Sequence, residues 1–571
     1  MGDPKQGIQG LAVSPKHEFD AIVVGSGISG GWAAKELCEK GLKTLVLERG
    51  RNVEHIKDYT TAFMHPWQFP HHLNTTLKDI EENPVQSHAF DESNKQFFVN
   101  DREHPYIQET PYPWIRGYQV GGRSLTWGRQ CYRLSDLDFE ANMKDGIAVD
   151  WPIRYRDIAP WYTYVEKFVG ISGRAEGLPH LPDGEFLPPM EMTCLEDFFS
   201  KKIRELFKDR IITIGRVANL TQAWNGRGPC QYRNLCSRGC PFSGYFSSNA
   251  ATLPAANATG NMTLLTDSIV MEVIFDEQKH KAIGVRVMDA HTKAITEYFA
   301  KIIFLNASTI ATAAILLNSV SRSFPNGLGN SSGQVGHNLM DHFLGVGGQG
   351  IYEGLNDEYY YGRRPTGIYI PRFRNVNDAT RQKDYVRGYG YQGNGNRMDW
   401  TSQMGGESFG KDFKKDLLTP APWSMWLGAW GEMLPYFENR VALDKEKKDK
   451  WGIPIVKIKF EMKENELAMR RDARESAIEM LNKTGFKEVS GFDYKAPKTT
   501  AVHEMGTARM GKDPKTSVLN GYNQIHEVKN VFITDGACMT SSGSQNPSLT
   551  YMALTARACD YAVAELKKGN L

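Results

Sequence analysis

AIVVGSGISGGWAAKELCEKGLKTLVLERG, residues 21–50, reads as one complete β-α-β unit that closes on a dinucleotide. Residues 21–24 are the short apolar run of a buried parallel strand, and the run breaks abruptly into Gly25-Ser26-Gly27-Ile28-Ser29-Gly30. The three glycines have separate tasks: Gly25 allows the tight turn, Gly27 lets backbone N–H groups approach a pyrophosphate, and Gly30 lets the next helix pack close to the strand. That helix, expected over 30–40, points its positive end at the phosphates. A second apolar strand at 44–47 ends in Glu48, where a carboxylate accepts the ribose hydroxyls of the adenosine half.

With 571 residues the chain is longer than a single core usually serves, so two closely packed domains are expected. The 68 Lys and Arg against 66 Asp and Glu leave a net charge of +2, which argues against nucleic acid or an acidic surface as a partner. No stretch is long and apolar enough to span a bilayer, and residues 1–20 lack the apolar core of a secretion signal. The expectation is a protein that is cytoplasmic, or exported folded on the signal of a partner.

Residues 51–112 are polar and aromatic without a clean period and read as loop-rich structure crossing over the cofactor, with His71 and His72 as surface residues. A second glycine-dense block, GYQVGGRSLTWGRQCYR at 117–133, suits a loop lying flat against a ring or phosphate, and a helix is expected over 158–168. Between 263 and 304 the pattern alternates as hairpin strands should; 301–306 is a buried strand and 307–319 an apolar helix. In 422–444, PWSMWLGAWGEMLPYFENRVALD, aromatic and small residues alternate as in a strand with one face on an apolar cavity. Trp423, Met425 and Trp430 read either as a sugar-stacking wall or as sheet core, and the run KEKKDK at 445–450 as a solvated turn.

Of the 8 cysteines, five are scattered and read as small buried residues. Cys230, Cys236 and Cys240 sit together in GPCQYRNLCSRGCPF. Three thiolates on a short loop converge on one centre, and an all-sulfur set followed by proline favours iron-sulfur over zinc, which wants a fourth ligand; a disulfide is the other alternative.

Five blocks together resemble the glucose-methanol-choline (GMC) family of FAD oxidoreductases: the Gly25 loop, VGGRSLTWG at 120–128, VGHNLMDH at 335–342, HEMGTARMG at 503–511 and DGACMTSSGSQNPSLTYMAL at 535–554. The resemblance implies a mixed α/β chain in which a Rossmann-like FAD-binding domain (17–58, 110–150, 245–343 and 500–571) is interleaved with a substrate domain on an antiparallel sheet. That second part takes in 59–109, 151–244 and 344–499, with the cysteine loop at 229–242. The cofactor set it implies is Gly25, Gly27, Ser29, Gly30, Glu48, Arg49, Gly121, Gly122, Ser124, Trp127, Gly128, Val270, Ala307, Asp535, Gly536, Asn546, Pro547 and Thr550. His503 and Asn546 match the family's catalytic pair. Imidazole takes a proton near neutrality, and an amide holds the hydroxyl without competing as a base. The helix after Pro547 aims its positive end at the flavin ring.

The cysteine spacing is similar to that of bacterial FAD-dependent glucose and glucoside 3-dehydrogenases, which implies a 3Fe-4S cluster on Cys230, Cys236 and Cys240. The glycine block carries Ser124-Leu125-Thr126-Trp127 and no histidine, so the FAD is expected to be non-covalent. The implied enzyme takes hydride from a sugar or glucoside, with C3 favoured, and passes electrons through the cluster to a c-type cytochrome. It would work beside a small subunit bearing the export signal, which places it in the periplasm. Glucose 1-dehydrogenase or gluconate 2-dehydrogenase activity is the runner-up; an NAD-linked reductase and a flavin scaffold without alcohol chemistry are the alternatives of other kinds.

Overall fold

A computed structural model describes residues 18–356, 358, 364–397, 409–418, 421–495 and 501–571. Its first layer is the sheet announced by the opening stretch. Strand Glu18–Val24 pairs in parallel with Thr44–Leu47 on one side and with Ile295–Leu305 on the other, Val24 meeting Leu47 and Leu305. Met262–Leu265 extends one edge, and Val531–Ile533 adds to Ile295–Leu305 from the far end of the chain. All four residues of Thr44–Leu47 are buried, as a parallel strand covered on both faces requires. The helix Ile28–Glu39 covers one face, packed with the C-terminal helix Ser548–Lys567. Ser268–Asp276, Lys281–Asp289 and Ile295–Leu305 form the expected antiparallel hairpins, and the apolar helix after them spans Thr309–Asn318.

The second layer is an antiparallel sheet in the order Lys487–Asp493, Val346–Tyr352, Trp423–Glu432, Tyr389–Arg397, Ile368–Ile370 and Thr213–Ile214. The helix Glu464–Lys483 packs on one of its faces. Here two expectations change. Residues 422–444 are two strands, because Pro435 and the turn after it break the run: Trp423–Glu432 stays in this sheet, while Arg440–Lys448 joins Pro454–Lys459 and Ile107–Gln108 in a separate three-stranded sheet. The run at 445–450 thus ends a hairpin strand and begins its turn.

The aromatic wall also divides. Trp423 and Met425 are fully buried in the core under the helix Glu464–Lys483. Trp430 has the opposite parity and stands on the other face with Trp426 and, across the pair, Asn394. A period of two cannot put Trp423 and Trp430 on one side.

Candidate active site

The two glycine blocks meet at the wall of a cavity of about 460 Å³ that lies between the nucleotide-side sheet and Leu443, Ile453 and Val456 of the three-stranded sheet and its turn. Gly25 turns at φ +95°, and a Cβ there would lie 2.4 Å from the Asn306 carbonyl oxygen; one on Gly30 would strike the Gly25 carbonyl at 1.9 Å. Gly27 meets nothing within 4 Å, so its face is open to the cavity. Ser26 ties the blocks together: its hydroxyl accepts from the Gly121 N–H (3.0 Å) and donates to Glu48 (2.5 Å). The Glu48 carboxylate is buried, which raises its pKa, and it also accepts from the N–H groups of Ser26 and Gly50.

Several buried polar atoms of cavity-lining residues have no partner among the described residues: Arg49 Nε, His104 Nδ1, Asn306 Oδ1 and the Tyr551 hydroxyl. Native chains leave few such atoms orphaned, and a long polar ligand would satisfy them. Three helix N-termini also begin at the cavity wall, near Ile28, Thr309 and Ser548. These features fit a dinucleotide, and no binding histidine lies in the Ser124–Trp127 block.

At the other end of the cavity stand His503 and Asn546, with Asn546 Nδ2 at 3.5 Å from His503 Nε2. His503 Nδ1 lies 2.9 Å from Nδ1 of His342, whose Nε2 lies 2.8 Å from the Gly543 carbonyl oxygen. These contacts fix the tautomers. A carbonyl only accepts, so His342 carries its proton on Nε2; its Nδ1 is then a lone pair and accepts from His503 Nδ1–H. That leaves the Nε2 lone pair of His503 directed at the Asn546 amide. Burial lowers the pKa of His342 to about 4, and burial, His342 and Arg123 together hold His503 well below the ordinary histidine value. Both rings are therefore neutral near pH 7.

Asp341 holds the pair in register. Its Oδ1 accepts the main-chain N–H of both His342 (2.7 Å) and His503 (2.9 Å), while Oδ2 accepts from Tyr112 (2.8 Å) and the Ala501 N–H (2.7 Å). Burial and the nearby Glu504 raise the Asp341 pKa; the donors around it oppose that rise. Glu504 is paired with Arg123 from the second glycine block. Asn546 is positioned from the antiparallel sheet, where Gln392 Nε2 donates to its Oδ1 at 2.6 Å. That bond orients the amide so that Nδ2 faces His503.

Family models described as GMC oxidoreductase match residues 209–344 and 435–555. The chain belongs to the GMC oxidoreductase family. It is 28% identical over 564 residues to a 2-methyl-1,2-propanediol dehydrogenase of Mycolicibacterium austroafricanum, covering 95% of each chain. It is 24% identical to the fructose dehydrogenase large subunit of Gluconobacter japonicus, covering 96% of this chain and 98% of that one. Among solved structures, a formate oxidase of Aspergillus oryzae studied for FAD modification superposes with a TM-score of 0.62 at 14% identity, over 96% and 99% of the two chains. This GMC oxidoreductase is accordingly a FAD-dependent enzyme acting on alcohol or sugar CH–OH groups, and the residues lining its cavity fit FAD.

Of the cofactor residues expected in this GMC chain, Gly25, Gly27, Ser29, Glu48, Arg49, Gly122, Ser124, Trp127, Gly128, Val270, Ala307, Asp535, Gly536 and Asn546 line the cavity. Gly30 sits behind the loop as a packing residue. Gly121 backs onto Asn249, whose Oδ1 would lie 1.7 Å from a Cβ. Pro547 caps the last helix, and the Thr550 hydroxyl turns into the core to Tyr162 (2.8 Å). Four residues of the site escaped the sequence reading: His342, Asp341, Gln392 and the Arg123–Glu504 pair's acidic member. The MDH end of VGHNLMDH carried the signal for the first two; nothing local marks Gln392, which reaches Asn546 only through the strand register.

Cys230, Cys236 and Cys240 are half-buried free thiols, and all eight cysteines are unbridged. Among the described residues no group of three His, Cys, Asp or Glu side chains could hold a metal ion. The expectation of a metal centre on these three cysteines is thus not supported by the structure, which does not bring them together as a metal-holding group. Burial raises the Cys230 pKa to about 11, and Cys236 and Cys240 add to the rise. The Tyr232 N–H points at Cys230 Sγ (3.4 Å) and the Gly244 N–H at Cys240 Sγ (3.3 Å). The next residue, Tyr245, donates to the Leu125 carbonyl (2.7 Å), so the cysteine loop is fastened directly to the block lining the FAD cavity.

Proposed function

We propose that the protein is a sugar dehydrogenase that oxidises a ring hydroxyl, with C3 of a glucoside favoured, and delivers electrons singly to a c-type cytochrome. The observation that carries the reading is the unprotonated Nε2 of His503 paired with the Asn546 amide beside a polar and aromatic sheet face bearing Gln392, Asn394 and Trp430. His503 Nε2 accepts the substrate hydroxyl proton, and Asn546 Nδ2 holds the same oxygen so that the carbinol hydrogen faces the flavin side of the cavity. His342 keeps the proton of His503 on Nδ1, and Gln392 keeps the Asn546 amide from flipping. Bound FAD supplies the hydride acceptor. Trp430 and Trp426 offer faces for a pyranose ring, and Asn394 offers hydrogen bonds to its hydroxyls.

Cys230, Cys236 and Cys240 would hold a 3Fe-4S cluster, which would supply a one-electron outlet. The free, half-buried thiols with N–H groups directed at two of the sulfurs support that donor set, and the link through Tyr245 to Leu125 joins it to the cavity. The likeness to a large subunit of fructose dehydrogenase supports a smaller partner subunit, and export with that partner to the periplasm belongs to the same proposal. Among the described residues no helix is long and apolar enough to cross a membrane.

Methyl glucoside and glucose, each with product analysis, test the reading. A 3-keto product from both supports it. Turnover of glucose to the lactone with none of methyl glucoside, whose anomeric carbon is blocked, replaces it with C1 oxidation.

A further inference from the structure

Trp451 lies in the turn between Arg440–Lys448 and Pro454–Lys459, a hairpin outside the nucleotide sheet, yet it is only 7% exposed. It packs on Ile269 and Met288 of the nucleotide-side hairpin, and its indole N–H donates to the Ala290 carbonyl at 2.9 Å. Asp449 shapes the tip: its Oδ1 accepts the N–H groups of Trp451 (3.0 Å) and Ile453 (2.9 Å), while Oδ2 faces the Arg49 guanidinium at 3.6 Å. Lys293 Nζ donates to the Lys450 carbonyl (2.7 Å), and Lys450 pairs with Glu103 (2.8 Å). The hairpin is therefore latched across one end of the cavity, and that end is the one beside Glu48.

Inside the latch is an aromatic cage. The Arg49 guanidinium lies 4.7 Å from the Tyr118 ring centre and 5.2 Å from that of Trp451. His104 stacks on Trp451 at 5.1 Å and meets Tyr118 edge-on at 5.0 Å. Burial and the charges of Arg49, Arg116 and Lys450 lower the His104 pKa to about 3, so the ring is neutral. Two buried polar atoms of this cage, His104 Nδ1 and Arg49 Nε, have no partner among the described residues. A flat heteroaromatic base with donors and acceptors along its edge satisfies both.

We propose that Arg49 and His104, which line the cavity and are held from behind by Trp451 of the hairpin, form a clasp for the adenine of FAD. This rests on the FAD reading of the cavity and is independent of the sugar and the cysteine loop.

FMN tests the proposal, because it carries the same flavin without the adenosine half. Apoprotein is titrated with FAD and with FMN by flavin fluorescence, and FAD release is timed after dilution. Trp451→Ala removes the ring that backs both cavity groups and should weaken FAD binding about tenfold and speed release, with FMN affinity kept within about twofold. Trp451→Phe restores most of the loss. Because Trp451 also packs in a core, His104→Ala is the second variant, and the same selective loss is expected while the melting temperature of the apoprotein holds. Equal loss of FAD and FMN, or wild-type FAD retention in both alanine variants, overturns the clasp. A wild-type chain that binds neither flavin removes the cofactor reading beneath it.

Discussion

Replacing His342 by leucine tests the tautomer chain. The bond between the two Nδ1 atoms is 2.9 Å long, and His342 is fully buried, so His503 Nδ1–H would lose its acceptor with no water to take its place. Leaving a buried donor unsatisfied costs about 1–3 kcal/mol. The imidazole recovers part of this by moving its proton to Nε2, which removes the lone pair the substrate needs. At about 1.4 kcal/mol per decade, kcat should fall roughly fivefold to 150-fold. His342 does not line the cavity, so KM should change less than about twofold. His342→Asn, which keeps an acceptor near the Nδ1 position, should recover part of the loss. The assay is anaerobic flavin bleaching at a series of substrate concentrations. Unchanged kcat in the leucine variant, or a loss carried wholly in KM, would refute the chain of hydrogen bonds as the device that prepares the base.

Other expectations follow from the same geometry. Because His342 has a folded pKa of about 4 against about 6.5 unfolded, the unfolded chain binds more protons between these values. Stability should fall as pH drops from about 6.5 to about 4, by roughly 3 kcal/mol from this group, with His503 acting in the same direction; urea melts at several pH values would show it, and a flat profile would contradict it. Gln392→Ala frees the Asn546 amide and should lower kcat/KM about tenfold without loosening FAD, whereas a variant of wild-type efficiency would leave the strand register without a catalytic consequence. Anaerobically purified protein should carry iron and acid-labile sulfide, and Cys236→Ser should lose both while keeping flavin; iron-free wild type would remove the cluster. Acid precipitation should release all FAD into the supernatant, and yellow protein in the pellet would show a covalent bond.

The sequence alone sufficed for the nucleotide half because its requirements are local. Strand, Gly25, Gly27, Gly30, helix and Glu48 lie within thirty residues, and each is dictated by backbone sterics that hold wherever the unit is placed. His503 and Asn546 were picked out by resemblance to family motifs rather than by local sterics, and the fold brings their side chains to 3.5 Å of each other. What only the tertiary structure decided is everything that depends on which strands pair. Gln392 reaches Asn546 across 154 positions, His342 reaches His503 across 161, and Arg123 reaches Glu504 across 381. Parity alone separates Trp423 from Trp430, but only the sheet order and the helix packed on it decide that the Trp423 face is core and the Trp430 face is the one carrying Gln392. Trp451 shows the same limit: charge and turn chemistry gave its neighbours a solvated surface, and the crossing of the hairpin over the nucleotide sheet buried it.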